Sequence, residues 1–381
     1  MSTFARTDTS ILGQWWWTVD RWILGAIGLL IIVGTLLTLA ASPSVAERIN
    51  MDGYFFVKKH LMLLPVGLVI MFGVSLAPPN LVKRLAVALL VFSFILMLLT
   101  LTIGEERNGA QRWLSLGGMS LQPSEFLKPA LIVFAAWMFS EQNRASGVPG
   151  NLIALGAWAT AAGMLAMQPD FGQAFLVTVV IGGMFFVAGM PMILVGGLLA
   201  VGAVGGVFAY LYVPHVTSRI DRFLDPASGD TFQVNTAINA FRQGGPFGRG
   251  PGEGVVKRIL PDAHTDYIFA VVGEEFGAIA CLLVVSLFAF IVLRGLARAF
   301  AAEDHFTQLA ASGLIFLFGL QAAINMAVNL NLLPSKGMTL PFISYGGSSL
   351  LALSLTAGMI LALLRRRPGI AIGGASVGRA T

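Results

Sequence analysis

The sequence predicts an all-α, polytopic membrane protein. Hydrophobic residues make up 56% of the 381 positions and charged residues only 11%, whereas a soluble domain carries about 25% charged residues. Apolar stretches of about 20 residues, long enough to cross a bilayer as a helix, recur along almost the whole chain. We therefore predict about ten transmembrane helices, with a long extracytoplasmic loop between the seventh and the eighth.

The ten predicted spans are separated by charges or by residues that break helices. They centre on residues 22–41, 61–77, 85–103, 122–140, 151–168, 171–189, 191–213, 267–293, 307–330 and 345–364. An uncharged block from Phe171 to Ser218 is too long for one span, so we place a turn at Gly189 to Pro191 because Gly and Pro punctuate helices.

The first apolar run is predicted to be a membrane anchor. Its core is nearer 20 residues than the roughly 7–15 of a cleaved signal peptide. Around Arg21, four tryptophans are predicted to form an interfacial belt, since amphipathic rings favour the headgroup level. They are Trp15, Trp16, Trp17 and Trp22.

The orientation is predicted from Arg365, Arg366 and Arg367, which directly follow the last span. Basic residues favour the cytoplasmic side, so we expect a cytoplasmic C-terminus and, with ten spans, a cytoplasmic N-terminus. Lys58 and Lys59 fall on the other side, against this rule. The predicted organisation is a tail at 1–21, a membrane domain at 22–365 with an outer loop at about 214–266, and a tail at 366–381.

Several classes of function are disfavoured by the composition. The lone Cys281 excludes a disulfide framework, and the scattered histidines show no spacing of a metal cage. The basic residues of the long loop are not interleaved with aromatics, as a nucleic-acid groove requires, so an anionic lipid headgroup fits them better.

The glycine-rich stretch GGPFGRGPGEG, residues 244–254, lacks the Gly-Lys-Ser/Thr ending of a nucleotide-binding P-loop. It is interpreted either as a flexible outer loop that carries Arg249 near an anionic substrate or as a plain linker. Nucleotide binding is therefore not expected.

Candidate functional residues are charged side chains at the ends of or inside predicted spans, as in LPDAHTDYIFAVVGEEFG at 260–277. A charge near the bilayer centre costs on the order of 3 kcal/mol, so it marks a functional hypothesis. We predict Asp266 in the first turn of the eighth span with Thr265 as N-cap, either as a functional group or as an acid matching the helix dipole. Glu274, about 12 Å further along a helix, and Glu275 are expected to form a structural ion pair or a hydrogen bond to a neighbouring helix.

A second constellation is NGAQRWLSLGGMSLQPSEFLKP at 108–129. Pro123 suits the first turn of a helix, and Glu125 and Lys128 share a helix face at a spacing of three, so they can pair. The alternative is an amphipathic surface stretch with one neutralised ion pair.

A third candidate is Asp170, in the turn QPDFG between the fifth and sixth spans. By itself it is typical of an acid that caps a helix. The predicted topology, however, places acids and bases from distant parts of the chain on one outer face. One polar cavity would gather Arg112, Glu125, Lys128, Asp170 and Asp266.

These motifs together carry a resemblance to a known family. In chain order they are NGAQRWL, QPSEFLKP, QPDFG, LPDAHTDYIFAVVGEEFG and LLPSKGMTLPFISYGGSS. On ten spans, this ordered set resembles the SEDS family (shape, elongation, division and sporulation) from about the first span to residue 365. The last two motifs are more similar to the cell-division branch than to the elongation branch.

The resemblance implies a peptidoglycan glycosyltransferase that polymerises lipid II at the outer face of the bacterial cytoplasmic membrane, at the division septum. Its implied partners are a class B penicillin-binding protein that supplies the transpeptidase, and other membrane proteins of the divisome. The essential acid of the family maps onto Asp266, and its polar pair in the fourth span maps onto Glu125 and Lys128.

The implied reaction joins a sugar 4-hydroxyl to the anomeric carbon of an α-linked pyrophosphoryl donor and gives a β link, so one displacement with inversion suffices. Asp266 is the expected base, with a pKa raised by burial. Fixed cations would stabilise the leaving group, with a divalent ion such as Mg²⁺ or Mn²⁺ as a possible addition and no protein metal ligands predicted. The candidate substrate-binding residues are Arg112, Glu125, Lys128, Asp170, Arg249 and His264.

Two other classes of function remain open from the sequence. A flippase of the lipid-linked precursor would also have many spans and intramembrane acids, but it needs polar access from both faces. A non-catalytic scaffold would only activate its partner, and it would tolerate Asp266→Asn.

Overall fold

The computed structural model describes residues 10–107, 110–116, 119–142, 147–225 and 231–366. Most of the predicted C-terminal tail, including Arg367, lies outside the described residues, as do residues 1–9. The described helices are α1 Ile11–Thr18, α2 Arg21–Arg48, α3 Phe55–Ser75, α4 Pro79–Ile103, α5 Pro123–Gln142, α6 Gly150–Met167, α7 Phe171–Val187, α8 Met192–Tyr212, α9 Pro214–Leu224, α10 Phe232–Gly244, α11 Ile268–Phe300, α12 His305–Asn329 and α13 Gly347–Leu363. The strands are β1 Glu105–Arg107, β2 Ala110–Leu116 and β3 Met119–Leu121.

Each predicted span contains a helix, α2 to α8 and then α11 to α13. Within the described ranges, seven of them are long and apolar enough to cross a bilayer, and α7 and α13 are shorter apolar helices. The predicted turn at Gly189 to Pro191 is confirmed, because α7 ends at Val187 and α8 begins at Met192. The all-α polytopic architecture is therefore confirmed, whereas the number of crossings stays a prediction.

The N-terminal tail contains a helix that the sequence analysis missed. Ser10 caps α1, and the indole of Trp15 donates a 2.8 Å hydrogen bond to the hydroxyl of Ser75 at the end of α3. Trp15 is consequently buried and its assignment to the interfacial belt is wrong, whereas Trp22 is 69% exposed.

A small antiparallel sheet, β1-β2-β3, lies between α4 and α5. It was not predicted, since the only local structure offered for this segment was an amphipathic surface stretch, given as an alternative. The hydroxyl of Ser348 in α13 donates to the carbonyl of Ser120 and accepts from the amide of Gln122. The sheet is thereby fixed to the start of the last helix.

Helices α5, α12 and α13 form the centre of the bundle. Almost every side chain of α13 is buried, and α5 packs against α4, α6 and α12. Helices α3, α4 and α8 instead expose large apolar side chains, such as Met62, Phe92 and Phe208. This distribution fits a protein whose outer surface faces hydrocarbon rather than water.

The stretch at 244–254, here called the glycine loop, is not a plain linker. It packs against a break in α11 at Gly277, whose φ is 79° and ψ −178°. Across the break, the carbonyl of Glu274 accepts from the amide of Arg249, and the amide of Ala278 donates to the carbonyl of Gly245. Since an unsatisfied backbone group costs several kcal/mol in a membrane, the loop replaces the hydrogen bonds that the break removes.

The two glutamates of α11 have partners in the segment that follows the glycine loop. The carboxylate of Glu274 accepts from the amides of Val255, Val256 and Lys257. The ammonium of Lys257 pairs with Glu275 and donates to the carbonyl of Ala40 in α2. The predicted structural ion pair is confirmed, although its partner is a loop and not a neighbouring helix.

The break in α11 predicts that Gly277→Ala destabilises the protein. A Cβ atom there would lie 2.4 Å from both the amide nitrogen of Gly248 and the carbonyl oxygen of Pro246. The backbone conformation alone costs about 1–3 kcal/mol for another residue. Thermal unfolding in detergent should show a lower Tm than wild type.

Gly28→Ala in α2 is the matched control, because its Cβ would meet nothing within 4 Å. It should leave Tm unchanged or slightly raised. An equal Tm for Gly277→Ala and wild type would show that the loop is not held against the break.

Candidate functional site

Asp266 lies in a turn before α11 and not in its first turn. The helix begins at Ile268 and has Tyr267 at its N-cap position, so the predicted N-cap role of Thr265 is wrong. The Thr265 hydroxyl donates instead to the carbonyl of Asp262. The side-chain amides of Asn325 and Asn329 in α12 both donate to the carbonyl of Asp266, at 2.9 and 2.8 Å, and they hold this turn in place.

The Asp266 side chain is partly exposed and lies against the backbone of Gly337, where an added Cβ would come within 3.3 Å of a carboxylate oxygen. Burial by the surrounding protein and, to a smaller extent, the negative charge of Asp262 raise the pKa of Asp266 to about 7. The positive charge of Arg219 opposes this effect. A carboxyl group with this pKa is suited to take up a proton near neutral pH.

Arg219 interacts electrostatically with Asp266 and with charged groups from three other parts of the chain. We call these five residues the outer charged cluster, after the predicted orientation. The cluster consists of Arg112, Asp170, Arg219, Lys336 and Asp266. Arg219, in α9, interacts electrostatically with both aspartates and with Arg112. Burial and the charge of Arg219 lower the pKa of Lys336, while Asp170 opposes them. The cluster therefore gathers cations beside a proton acceptor.

Arg112 of β2 is bound to the turn between α6 and α7. Its guanidinium donates to the carbonyls of Gln168 and Pro169 and lies 3.7 Å from a carboxylate oxygen of Asp170. Asp170 caps α7 by accepting from the amide of Gln173. Burial raises the pKa of Asp170 despite Arg112. The sheet and this turn therefore form one unit.

The predicted pairing of Glu125 with Lys128 is confirmed at 2.9 Å. The Lys128 ammonium also donates to the side-chain oxygens of Gln173 in α7 and Gln321 in α12, at 3.0 and 3.1 Å. An ammonium group has three N–H donors, and all three have acceptors here. These three hydrogen bonds, here called the Lys128 network, hold α5, α7 and α12 together one turn below Asp170.

Two predicted substrate-binding residues lie apart from these contacts. His264 is buried, with its ring 4.5 Å from Phe56 and 5.4 Å from Tyr345 between centroids. Burial lowers its pKa to about 4, so the ring is neutral at physiological pH. Arg249 is exposed on the glycine loop and joins neither the outer charged cluster nor the Lys128 network. Their predicted roles remain untested.

Sequence reasoning missed several residues of the site, although some left a signal. Gln321, Asn325 and Asn329 recur every four residues in α12 and share one face, so their polarity within an apolar span marked that face as buried in protein. Lys336 lies in a quoted motif but was not singled out. Arg219 was noted only as one of the basic residues of the long loop, because only the fold brings α9 to Asp266.

Residues that could hold a metal were also considered. In the described part of the chain, no group of three or more His, Cys, Asp or Glu side chains is placed to bind an ion. The expectation of Mg²⁺ or Mn²⁺ stays a prediction.

The comparison with known families decides the identification. A family model described as a cell cycle protein, covering FtsW, RodA and SpoVE, matches residues 21–368. The chain belongs to this family. The resemblance to the SEDS family is confirmed, and the match covers all ten predicted spans.

Two curated relatives of this SEDS chain are named probable peptidoglycan glycosyltransferase FtsW. The one from Caulobacter vibrioides is 49% identical and the match covers 96% of this chain and 94% of the relative. The one from Legionella pneumophila is 32% identical, covering 90% of each.

Two solved SEDS structures are similar to this one. A chain from a peptidoglycan synthase complex, described as coordinating polymerization and crosslinking, matches with a TM-score of 0.76 and 26% identity over 91% of this chain and 97% of that chain. The rod shape determining protein RodA of Thermus thermophilus matches with a TM-score of 0.67 and 25% identity over 92% and 97%. The fold is therefore that of SEDS membrane proteins.

The raised pKa of Asp266 predicts how stability depends on pH. The pKa of Asp266 is about 7 in the folded protein and about 3.9 in the unfolded chain. Because the folded state binds the proton more tightly, it loses stability as pH rises between these two values. Asp266→Asn removes the ionisation. Its Tm relative to wild type should thus rise between pH 5 and pH 8.

Asp52→Asn is the control, because a hydrogen bond from Lys58 lowers the pKa of this exposed carboxyl. It should show no relative gain at pH 8. A constant Tm difference between Asp266→Asn and wild type across the range would contradict the raised pKa.

Proposed function

We propose that this chain polymerises lipid II into glycan strands by inverting transfer, with Asp266 as general base. The observation that carries the proposal is the juxtaposition of a partly exposed carboxyl of pKa about 7 with the cations Arg219 and Lys336. The names of the curated relatives support the same activity. Inverting transfer needs one base and a stabilised leaving group, and the outer charged cluster contains candidates for both.

In the proposed reaction, the carboxylate of Asp266 accepts the proton of the attacking 4-hydroxyl, while the oxygen of that hydroxyl bonds to the anomeric carbon. The bond from that carbon to the pyrophosphate oxygen breaks, and the electron pair leaves with the pyrophosphate. Asp262, whose charge raises the pKa of Asp266, strengthens the base. Asn325 and Asn329 position it through their hydrogen bonds to its backbone carbonyl.

We assign the pyrophosphate to the cationic groups of the outer charged cluster. Arg219 and Lys336 are both partly exposed, so each can reach a bound anion. Arg112 is held mainly by two backbone carbonyls and by Asp170, so we assign it a supporting role beside Arg219 rather than direct binding of the pyrophosphate. Lys128, with its donors occupied, acts as a positioning residue together with Glu125.

Buried apolar side chains on the membrane-interior side of the Lys128 network favour the transferase over a flippase. On the next turns of α5 and α12, Leu131, Ile132 and Leu314 are fully buried apolar side chains. A flippase requires a polar path through the bilayer, whereas these side chains form a packed apolar layer at this level.

The proposed setting is the outer face of the cytoplasmic membrane at the division septum, with both termini in the cytoplasm. The solved peptidoglycan synthase complex, one chain of which is similar to this chain, is described as coordinating polymerization and crosslinking. By analogy, we assign this chain a class B penicillin-binding protein as transpeptidase partner, and contacts with other membrane proteins of the divisome.

Asp266→Asn should abolish glycan polymerisation from labelled lipid II while the protein remains folded. A general base contributes about 10²- to 10⁴-fold in rate, and a carboxamide keeps the size of the acid but cannot accept the proton. The assay uses purified protein with its penicillin-binding partner, whose transpeptidase is blocked, and gels that resolve chain length.

Asp52→Asn provides the control, since this acid is exposed and pairs with Lys58, and it should polymerise like wild type. Equal polymer from Asp266→Asn would reject the base assignment. Absence of polymer from the wild type with its partner, together with lipid II translocation in vesicles, would favour the flippase.

A further inference from the structure

A second charged recess lies at the opposite end of α11 from Asp266. The end of α1, the start of α2, the second half of α11 and the residues just after α13 line a half-open cavity of about 520 Å³. Four arginines line it, and we call it the arginine pocket. They are Arg21, Arg294, Arg298 and Arg366.

Asp20 at the base of the pocket is 5% exposed and accepts hydrogen bonds from the Nε atoms of Arg294 and Arg298. It also caps α2 by accepting from the amides of Trp22 and Ile23. Burial would raise the pKa of Asp20, but hydrogen bonds from Arg294 and Ile23 outweigh it and hold the pKa below its ordinary value. The carboxylate is therefore charged, and it offsets one of the four arginines.

The guanidinium groups keep donors for a ligand. Arg294 and Arg298 contact Asp20 through Nε, and among the described residues their terminal nitrogens make no hydrogen bond. Their side chains are 30% and 27% exposed. With a formal charge of +3 remaining from four arginines and one aspartate, the pocket is built to receive an anion.

The surroundings of the pocket point to a lipid. Trp17 and Trp22 line its edge, and indole rings favour the membrane interface. Next to it, α2 exposes Leu29 and Ile32 and α11 exposes Leu293, which gives acyl chains an apolar surface. On the proposed orientation this end of the bundle lies in the cytoplasmic leaflet, where anionic headgroups attract basic residues.

We infer that the arginine pocket binds the phosphodiester of an anionic phospholipid from the cytoplasmic leaflet. Arginine forks match phosphate oxygens with paired hydrogen bonds, and the acyl chains would lie along α2. The site is separate from the outer charged cluster, so it goes beyond the proposed polymerisation.

The test is native mass spectrometry of delipidated protein titrated with phosphatidylglycerol or with phosphatidylcholine of the same acyl chains. The variants are Arg21→Gln, Arg366→Gln and the two combined, because these leave the hydrogen bonds of Asp20 intact. Each arginine is expected to contribute about fivefold in affinity and the pair about thirtyfold. Arg84→Gln, an exposed arginine of α4 outside the pocket, is the control and should bind like wild type.

Tighter binding of phosphatidylglycerol than of phosphatidylcholine, lost in the combined variant and kept in Arg84→Gln, is the expected result. Unchanged affinity in the combined variant would overturn the inference, as would equal binding of the two lipids. Excess inorganic phosphate is added as a competitor. If it displaces the lipid completely, the pocket is a site for free phosphate and the assignment to a phospholipid is wrong.

Discussion

The buried ammonium group of Lys128 fixes the part of the bundle on which the proposed site rests. Its side chain is 2% exposed, and a charge in such a place costs several kcal/mol unless it is paired and hydrogen-bonded. Glu125, Gln173 and Gln321 supply the three acceptors. Because they lie on α5, α7 and α12, the ends of these helices are held together, and Gln173 in turn donates to the capping carboxylate of Asp170.

The cost of burying an unpaired charge also distinguishes two kinds of acid in the segment around α11. Glu274 accepts three backbone amides and Glu275 pairs with Lys257, so their charges are compensated within the protein. For Asp266, burial and the like charge of Asp262 instead raise the pKa to about 7. Compensated acids stabilise a fold, whereas an acid left at a raised pKa is available for proton transfer.

Periodicity and charge predicted the architecture well, because the apolar spans and their polar ends are local features of the sequence. The Glu125–Lys128 pair was predictable for the same reason, since a spacing of three places both on one helix face. Contacts between distant segments were not. The docking of the glycine loop on the break at Gly277 and the approach of Arg219 to Asp266 depend on how the helices pack.

Local rules also gave two wrong answers, one at the site and one in the N-terminal tail. Thr265 has the residue type of an N-cap, but hydrogen bonds from Asn325 and Asn329 to the carbonyl of Asp266 hold the turn outside the helix. Trp15 has the residue type of an interfacial anchor, but α1 places its indole against Ser75. In both cases a tertiary hydrogen bond overrode a local preference.

The central claim is that Asp266 is the base of a glycosyl transfer, and the pH dependence of polymerisation under single-turnover conditions tests it most directly. The rate should rise with pH through about 7, where Asp266 loses its proton, and then level off. Asp262→Asn removes the like charge and should move this rise to lower pH. A rate that does not change across this range would contradict the assignment.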